Sequence, residues 1–228
     1  MKVAIDGPAG SGKSTVAHAI ADRMGFTLLD TGAMYRSVAL TCLERGINVE
    51  DKDAVAEVAE SISITFGRGE AGQTVQVDGK DVTAAIRTPE VDKAVSPVAA
   101  IPAVRTAMVA QQRAIGAQGN VVAEGRDIGT VVFPDAEVKV FLTADASARA
   151  LRRAVQRDGG DAATDANAKA DEAAVAEILA DIQRRDAYDS SREASPLKPA
   201  EDAHHIDSSN LTVDEVVGEV ISLMERAR

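Results

Sequence analysis

The sequence has few of the features that mark secreted or membrane proteins. Its 228 residues include a single cysteine, Cys42, which cannot form a disulfide within the chain, and this is typical of a reducing compartment. No run approaches the roughly 18 apolar residues of a transmembrane helix, and the first apolar stretch is too short for a signal peptide. We therefore expect a cytoplasmic protein without a membrane segment, in which Cys42 is buried.

Basic residues are also scarce. The chain has 25 Lys and Arg against 36 Asp and Glu, a formal net charge of -11, which argues against a general nucleic-acid binder. An anionic ligand must therefore be bound by local clusters of Arg and Lys. The hydrophobic content of 45% is enough for a full core, and by default we expect a monomer.

A glycine-rich segment near the start of the chain matches G-x-x-x-x-G-K-[ST] in full. In such a loop the backbone N–H groups point at phosphate oxygens, Lys13 reaches the β- and γ-phosphates, and the Ser14 hydroxyl is a ligand for Mg²⁺. The alternative is a tight turn that only caps a helix. The ATP-binding residues predicted here are Gly7, Pro8, Ala9, Gly10, Ser11, Gly12, Lys13, Ser14 and Thr15.

The order of apolar and helical patterns predicts an α/β fold: the three-layer fold of the P-loop NTPases, with a central five-stranded parallel sheet. A small antiparallel meander at 62–82 interrupts this pattern. We assign residues 1–32, 117–148 and 190–228 to the core, residues 33–116 to an inserted acceptor-binding domain, and residues 149–189 to a helical lid. Within the lid, the polar segment at 158–171 is predicted to be a mobile loop.

The phosphate loop by itself does not identify the reaction. GTPases also need an Asn-Lys-x-Asp segment that reads guanine, and the sequence has none. Larger ATPases usually carry additional domains. The remaining class is that of the small-molecule kinases, with ATP and Mg²⁺ as the donor pair.

Two sets of arginines lie on predicted helices. Arg149, Arg152, Arg153 and Arg157 share one helical face, and we predict that this face closes on the transferred phosphoryl group; the alternative is a solvated helix face. A second set, Arg185, Asp189 and Arg192, is either an intrahelical salt-bridge ladder or a fork of polar groups facing a ligand. The spacing leaves these two interpretations open.

Two turns follow predicted strands, where ligands bind in open parallel sheets. One precedes Arg36, and the other carries Arg126 and Asp127. A phosphate acceptor is already anionic and needs positive charge rather than a base, whereas a hydroxyl acceptor gains from a carboxylate such as Asp127. The many arginines favour a phosphate acceptor. The structural alternatives are that Asp30 caps a helix and that Arg126 and Asp127 form a local pair.

Several segments resemble bacterial cytidylate kinases, over essentially the whole chain. The 125–134 segment, Gly-Arg-Asp-Ile-Gly-Thr-Val-Val-Phe-Pro, is the most specific. The other matching segments are Ile5–Pro8 with the phosphate loop, Leu29–Arg36, Ile86–Val91, Ser96–Ala100, and Arg185-Asp186 through Asp189 to Arg192. The resemblance implies transfer of the γ-phosphoryl group from MgATP to CMP and dCMP, without a general base.

The resemblance also implies residue roles. Arg36 and Arg126 would bind the acceptor phosphate. Thr31, Arg105, Asp127 and Arg192 would read cytosine, and Ser96, Arg185 and Asp189 would hold the pentose hydroxyls. The catalytic set would be Lys13, Arg126, Arg149, Arg152 and Arg153, with Arg157 on ATP and Ser14 on the metal. This chain departs from the family at two places. The family often has Ser where this chain has Thr31, and the loop of this chain at 158–171 is longer and more polar than is usual in the family.

Three functions are compared: a CMP and dCMP kinase, a kinase for a hydroxyl acceptor such as a sugar or shikimate, and a nucleotide sensor without turnover. UMP is the closest rival substrate. Uracil carries a carbonyl where cytosine has an amino group, and a carboxylate such as Asp127 accepts from the amino group and repels the carbonyl. We therefore expect a strong preference for CMP.

Overall fold

The structure is a computed structural model that describes residues 1–69, 72–157 and 171–228, apart from the side chains at 156, 157 and 172. The predicted mobile loop lies outside the described residues except for Asp171. The described chain divides into two compact units, Met1–Leu28 with Gly119–Arg228 and Leu29–Gln118. The finer division into core, acceptor-binding domain and lid stays a prediction.

The secondary structure alternates strands and helices at both ends of the chain and places a meander between them. In chain order the elements are β1 (Lys2–Asp6), α1 (Lys13–Met24), β2 (Thr27–Asp30), α2 (Thr31–Glu44), α3 (Lys52–Ser61), β3 (Ile64–Gly69), β4 (Gly72–Val77), β5 (Lys80–Asp81), a 3₁₀ turn (Ala85–Arg87), α4 (Pro89–Ala100), α5 (Pro102–Gly116), β6 (Val121–Gly125), a π-helical turn (Ile128–Val132), β7 (Val138–Thr143), α6 (Ala146–Arg157), α7 (Glu172–Ser191), β8 (His204–Asp207) and α8 (Val213–Arg226).

The larger sheet is five-stranded and parallel, with the order β2-β6-β1-β7-β8. Four of its strands, β6, β1, β7 and β8, lie wholly in the first unit. Strand β1 pairs with β6 and β7, and the register sets Ile5 beside Glu124 and Asp6 beside Gly125. Because the strands run parallel, the loops after β1, β6 and β7 leave the sheet at the same edge. The α/β fold expected from the sequence is confirmed.

Apolar side chains from the sheet and two helices form the main core. Val3, Ile5 and Val140 pack with residues of α1 and α8, such as Ile20 and Val220. Burial of this apolar surface is the main source of stability. The N-terminus of α8 carries a capping box, in which Thr212 and Glu215 satisfy each other's backbone N–H groups.

Helices α6 and α7 pack on each other through a small apolar cluster. Ala150 and Ala154 of α6 contact Ile178 and Ile182 of α7. The alanines let the two helices approach closely, and the cluster holds their polar residues at fixed positions.

The second unit contains α2 to α5 and a three-stranded antiparallel sheet of order β3-β4-β5. This sheet confirms the predicted meander. Its first strand begins at Ile64 rather than at Ile62, because Ile62 ends α3 with an N–H bond to the Val58 carbonyl. None of the described helices is long and apolar enough to cross a bilayer.

Pro102 lies at a break between two helices. Ile101 is extended, with φ −74° and ψ 118°, and separates α4 from α5. The ring of a proline disfavours helical geometry in the residue before it, which explains the break. Pro97, in contrast, lies inside α4.

Candidate active site

The phosphate loop adopts backbone angles that favour glycine. Gly7 has φ +152°, and a Cβ at this position would lie 2.0 Å from the carbonyl oxygen of Leu142. Only glycine fits there. Gly12 has φ +91° and precedes α1, so the positive end of that helix lies at the loop. The backbone of the loop therefore requires glycine at position 7 and favours it at position 12.

Lys13 lies within the loop rather than in solvent. It is 5% exposed, and its Nζ donates to the Pro8 carbonyl at 2.7 Å. Burial above all, and then the positive charge of Arg126, lower the pKa of the Lys13 ammonium from 10.5 to about 7; Arg185 lowers it too, while Glu124 and Asp6 act in the opposite direction. Several cations are thus gathered where the phosphates of a nucleotide would bind.

Three side chains from other parts of the first unit form hydrogen bonds with the phosphate loop. The Ser208 hydroxyl, in the turn after β8, donates to the Ser11 carbonyl at 3.1 Å. Arg149 donates to the Ala9 carbonyl at 2.9 Å, and the Asp186 carboxylate accepts the Ala9 N–H at 3.3 Å. The loop is therefore fixed by three side chains distant in sequence.

Glu124 is a candidate site residue that the sequence analysis missed. It is the penultimate residue of β6, is 6% exposed and raises the pKa of Lys13 through its charge. The signal was present, since an apolar strand that ends in a carboxylate beside the phosphate-loop strand is typical of a Mg²⁺ site in this fold class. The position of β6 next to β1 was needed to recognise it.

Arg126 forms an ion pair with Asp189 of α7. Its Nε donates to the Asp189 carboxylate at 2.9 Å, and both side chains are largely buried. Arg192 lies 3.7 Å from the other oxygen of Asp189. Asp189 therefore takes part in more than an intrahelical ladder, and Arg126 has a partner outside the local pair considered with Asp127.

The turn after β6 is tied to the end of β1. The two carboxylate oxygens of Asp6 accept the backbone N–H groups of Ile128 and Gly129, each at 2.8 Å. Burial raises the pKa of Asp6 from 3.8 to about 6 despite these hydrogen bonds. A π-helical turn starts at the same place, and such turns are frequent at functional sites. Asp127, itself 4% exposed, precedes it.

The arginines of α6 differ in their exposure and in their hydrogen-bond partners. Arg149 is 7% exposed and, besides Ala9, contacts the Ala144 carbonyl at 3.0 Å. Arg152 donates to the Ser208 carbonyl at 2.6 Å, and Arg153 is half-buried. The Arg157 side chain lies outside the described residues. The structure thus places Arg149 and Arg152 against protein oxygens near the phosphate loop.

The remaining predicted residues lie in the second unit. Arg36 is paired with Asp92 and donates to the Ile86 carbonyl at 3.0 Å. Arg105 is buried, donates to the Ala99 carbonyl at 3.1 Å and lies over the ring of Tyr35 at 5.2 Å.

Thr31 and Ser96 complete this set. Thr31 is buried at the start of α2 and Ser96 is half-buried on α4. Asp30 caps α2 by accepting the Ala33 N–H at 2.9 Å, which confirms the structural alternative for Asp30.

Cys42 is buried, as expected.

Comparisons with known proteins point to one family. A family model described as cytidylate kinase matches residues 3–226. The cytidylate kinase of Carboxydothermus hydrogenoformans is 45% identical over 226 residues, which cover 99% of this chain and 98% of the relative. That of Rhodococcus opacus is 47% identical over 220 residues, which cover 96% of this chain and 92% of the relative.

A solved structure shares the fold. An uncharacterised protein from Eubacterium ventriosum superposes with a TM-score of 0.51 at 15% identity, covering 99% of this chain and 98% of that one. At this identity the likeness concerns the fold alone.

Proposed function

The chain belongs to the cytidylate kinase family, and we propose that it transfers the γ-phosphoryl group of ATP to CMP and dCMP. The products are ADP and CDP or dCDP. The enzyme is a phosphotransferase with a phosphate group as acceptor. The observation that carries this function is the Gly7–Ser14 loop, whose buried Lys13 lies among arginines, in a chain that matches the family model almost from end to end.

Charge neutralisation drives the transfer in this proposal. The attacking oxygen belongs to the CMP phosphate and is already anionic, so the barrier contains the repulsion between two anions. Arg126 lies close enough to Lys13 for its positive charge to lower the pKa of the lysine. A phosphate between them relieves this repulsion and is stabilised by both.

No residue needs to act as a general base. A proton would have to be removed only if the acceptor were a hydroxyl. Asp127 is the carboxylate nearest to Arg126 in sequence, and we assign it to the amino group of cytosine. Asp189 is held by Arg126 and is assigned to the pentose hydroxyls.

Mg²⁺ fits the residues present at the loop. The Ser14 hydroxyl at the start of α1 is exposed, and the Glu124 carboxylate adds a second hard oxygen donor, which is the donor type that Mg²⁺ prefers. Ser14 and Glu124 are the residues that would hold the ion, through a hydroxyl and a carboxylate oxygen. When bound, Mg²⁺ neutralises charge on the β- and γ-phosphates.

The acceptor residues are proposed for each unit separately. In the first unit, Arg126 binds the acceptor phosphate. Arg192 reads cytosine together with Asp127, and Arg185 holds the pentose hydroxyls together with Asp189. In the second unit, Arg36 binds the acceptor phosphate, for which it must exchange its pairing with Asp92. The remaining proposed contacts of the second unit are Thr31 and Arg105 on the base and Ser96 on the pentose.

The lid arginines remain part of the proposal. Arg152 and Arg153 on α6 supply positive charge to the transferred group, and Arg157 contacts ATP. Arg149 contributes a charge next to the loop, since it is bonded to the Ala9 carbonyl. We further propose that the protein acts as a cytoplasmic monomer and does not bind nucleic acid, in line with its single cysteine and its net charge of -11.

A steady-state comparison of acceptors tests the function. ADP formation from MgATP is followed with CMP, dCMP, UMP, AMP and shikimate in turn. We expect turnover with CMP and dCMP and far lower kcat/KM with UMP. Absence of CMP-dependent ADP formation would refute the proposal, and turnover with shikimate but not CMP would establish the hydroxyl-acceptor alternative.

A further inference from the structure

Asp186 of α7 contacts both the phosphate loop and an arginine of α6. One of its carboxylate oxygens accepts the Ala9 N–H at 3.3 Å, and the other accepts a hydrogen bond from Nη1 of Arg149 at 2.6 Å. The same Nη1 donates to the Ala9 carbonyl at 2.9 Å. Ala9, Arg149 and Asp186 therefore form a closed ring of three hydrogen bonds.

This ring is built into the unit rather than formed at its surface. The Arg149 side chain is 8% exposed and that of Asp186 is 21% exposed. Arg149 is fixed further by its Nε, which donates to the Ala144 carbonyl at 3.0 Å. A Cβ on Gly10 would lie only 3.2 Å from Cβ of Arg149, so the loop lies directly against α6. Charge-assisted hydrogen bonds at such a site are strong and well oriented.

A second carboxylate lies one helical turn further along α7. Asp189 accepts a hydrogen bond from Arg126, which follows β6, whereas Asp186 contacts the loop that follows β1. The two aspartates of one helix thus hold two different turns of the sheet edge. In the proposed function, the first turn binds ATP and the second binds the acceptor phosphate.

We propose that Asp186 is a positioning residue for the ATP end of the reaction. This inference rests on the proposed function and assigns to Asp186 a role separate from that of Asp189. Asp186 touches no reacting atom; it holds Ala9 and Arg149 so that the N–H groups of the loop converge on the phosphates. Small displacements of such donors strongly reduce binding and catalysis.

The experiment measures two dissociation constants by titration calorimetry, one for a non-hydrolysable ATP analogue with Mg²⁺ and one for CMP. Asp186→Asn keeps the shape of the side chain but loses its charge, and we expect the Kd of the ATP analogue to rise about tenfold, as for a lost hydrogen bond to a charged group. The Kd of CMP should change less than about twofold. Asp189→Asn should show the opposite selectivity.

A matched control lies on the same helix. Asp181 is half-exposed and pairs with Arg184 within α7, so Asp181→Asn should leave both dissociation constants unchanged. An unchanged Kd of the ATP analogue in Asp186→Asn would overturn the inference. Equal weakening of both ligands, together with a lower melting temperature, would also overturn it, because a general loss of structure acts on both.

Two further measurements keep the test decisive. If Asp186→Asn does not fold, Arg149→Lys keeps the positive charge but loses the guanidinium that donates to Ala144, Ala9 and Asp186. The same selective weakening of the ATP analogue is required of this variant. If the wild-type protein does not phosphorylate CMP, the proposed function fails, while the Kd of the ATP analogue still tests the role of Asp186.

Discussion

The carboxylate of Asp6 lies 2.8 Å from the backbone nitrogen of Gly129, and its other oxygen accepts the N–H of the preceding residue, Ile128. The last residue of β1 thereby holds the turn that carries Arg126. Burial nevertheless disfavours the charged form and raises the pKa of Asp6 from 3.8 to about 6. This residue therefore links the geometry of the site to the pH dependence of folding.

The first prediction concerns that pH dependence. Because the folded pKa is raised, the stabilising contribution of Asp6 is fully present below about pH 3.8 and is lost as the pH rises through about 6. Relative to Asp6→Asn, the free energy of unfolding of the wild type should fall by about 2 kcal/mol between about pH 4.5 and 7.5. Urea unfolding of both proteins across this range measures the difference.

Asp135→Asn provides the contrast for this measurement. Asp135 is exposed, and the hydrogen bond from Lys2 lowers its pKa, so its stabilising contribution is present at high pH and is lost as the pH falls. This loss occurs only below the ordinary pKa of 3.8. Between about pH 4.5 and 7.5 the difference between Asp135→Asn and the wild type should therefore stay constant, whereas that between Asp6→Asn and the wild type changes. A pH-independent difference between the wild type and Asp6→Asn would show that Asp6 titrates normally.

The second prediction concerns proton uptake by Lys13. With a pKa of about 7 in the ligand-free protein, this lysine is largely uncharged at about pH 8. The phosphates of ATP favour its charged form, so binding of the MgATP analogue at that pH should take up about one proton. The uptake is obtained from calorimetric enthalpies in buffers of different ionisation enthalpy.

Two lysine variants test the assignment of that proton. Lys13→Met should remove the uptake and reduce kcat by at least about two orders of magnitude, as expected for a lost phosphate-neutralising charge. Lys52→Met, at an exposed position of α3, should behave as the wild type. The same uptake in Lys13→Met would place the titrating group elsewhere.

The third prediction concerns the choice of base. Asp127 is 4% exposed, and its carboxylate is proposed to accept a hydrogen bond from the cytosine amino group. In Asp127→Asn the side chain can donate to the uracil carbonyl instead, so the ratio of kcat/KM for CMP over UMP should fall by about two orders of magnitude. Steady-state assays with both nucleotides give this ratio.

This variant also distinguishes the mechanisms. If Asp127 were a general base, Asp127→Asn would lose turnover with every acceptor while still binding both substrates. An unchanged ratio, in turn, would show that Asp127 does not read the base.

The site is predictable from sequence where it is local and less so where it is assembled from distant residues. The phosphate loop around Lys13 is recognised from eight consecutive residues, and Gly7 and Gly12 have positive φ angles that favour glycine. The pair of Arg126 with Asp189 joins β6 to α7, and the spacing along one helix could not reveal it. Glu124 became significant only through the strand order, which sets β6 beside β1.

Sequence patterns also leave the exact course of some helices undetermined. A proline at position 102 indicates that a helix is interrupted or bent there. Which of the two occurs depends on the residue before it, and Ile101 is extended, so the helix breaks. The π-helical turn at Ile128–Val132 has no periodic signal, since it depends on backbone bonds such as that from the Phe133 N–H to the Ile128 carbonyl at 2.7 Å. The roles assigned to individual site residues stay predictions that the variants above test.

The last prediction concerns stability in the second unit. Gln112 of α5 is fully buried, and neither polar atom of its amide has a hydrogen-bond partner in the described part of the chain. Burying an unpaired amide costs about 1–3 kcal/mol. Gln112→Met, which keeps a similar volume and removes the polar atoms, should therefore raise the free energy of unfolding by about 1–2 kcal/mol, as measured by urea titration.

The neighbouring glutamine is the matched control. Gln111 donates through Nε2 to the Ile62 carbonyl at 3.0 Å, and its Oε1 accepts the Ile64 N–H at 3.3 Å. Gln111→Met removes these partners from backbone groups at the start of β3 and should lower the free energy of unfolding by about 1 kcal/mol. The same substitution is thus expected to act with opposite signs at adjacent positions. Destabilisation by Gln112→Met would show that its amide forms a polar contact important for the fold.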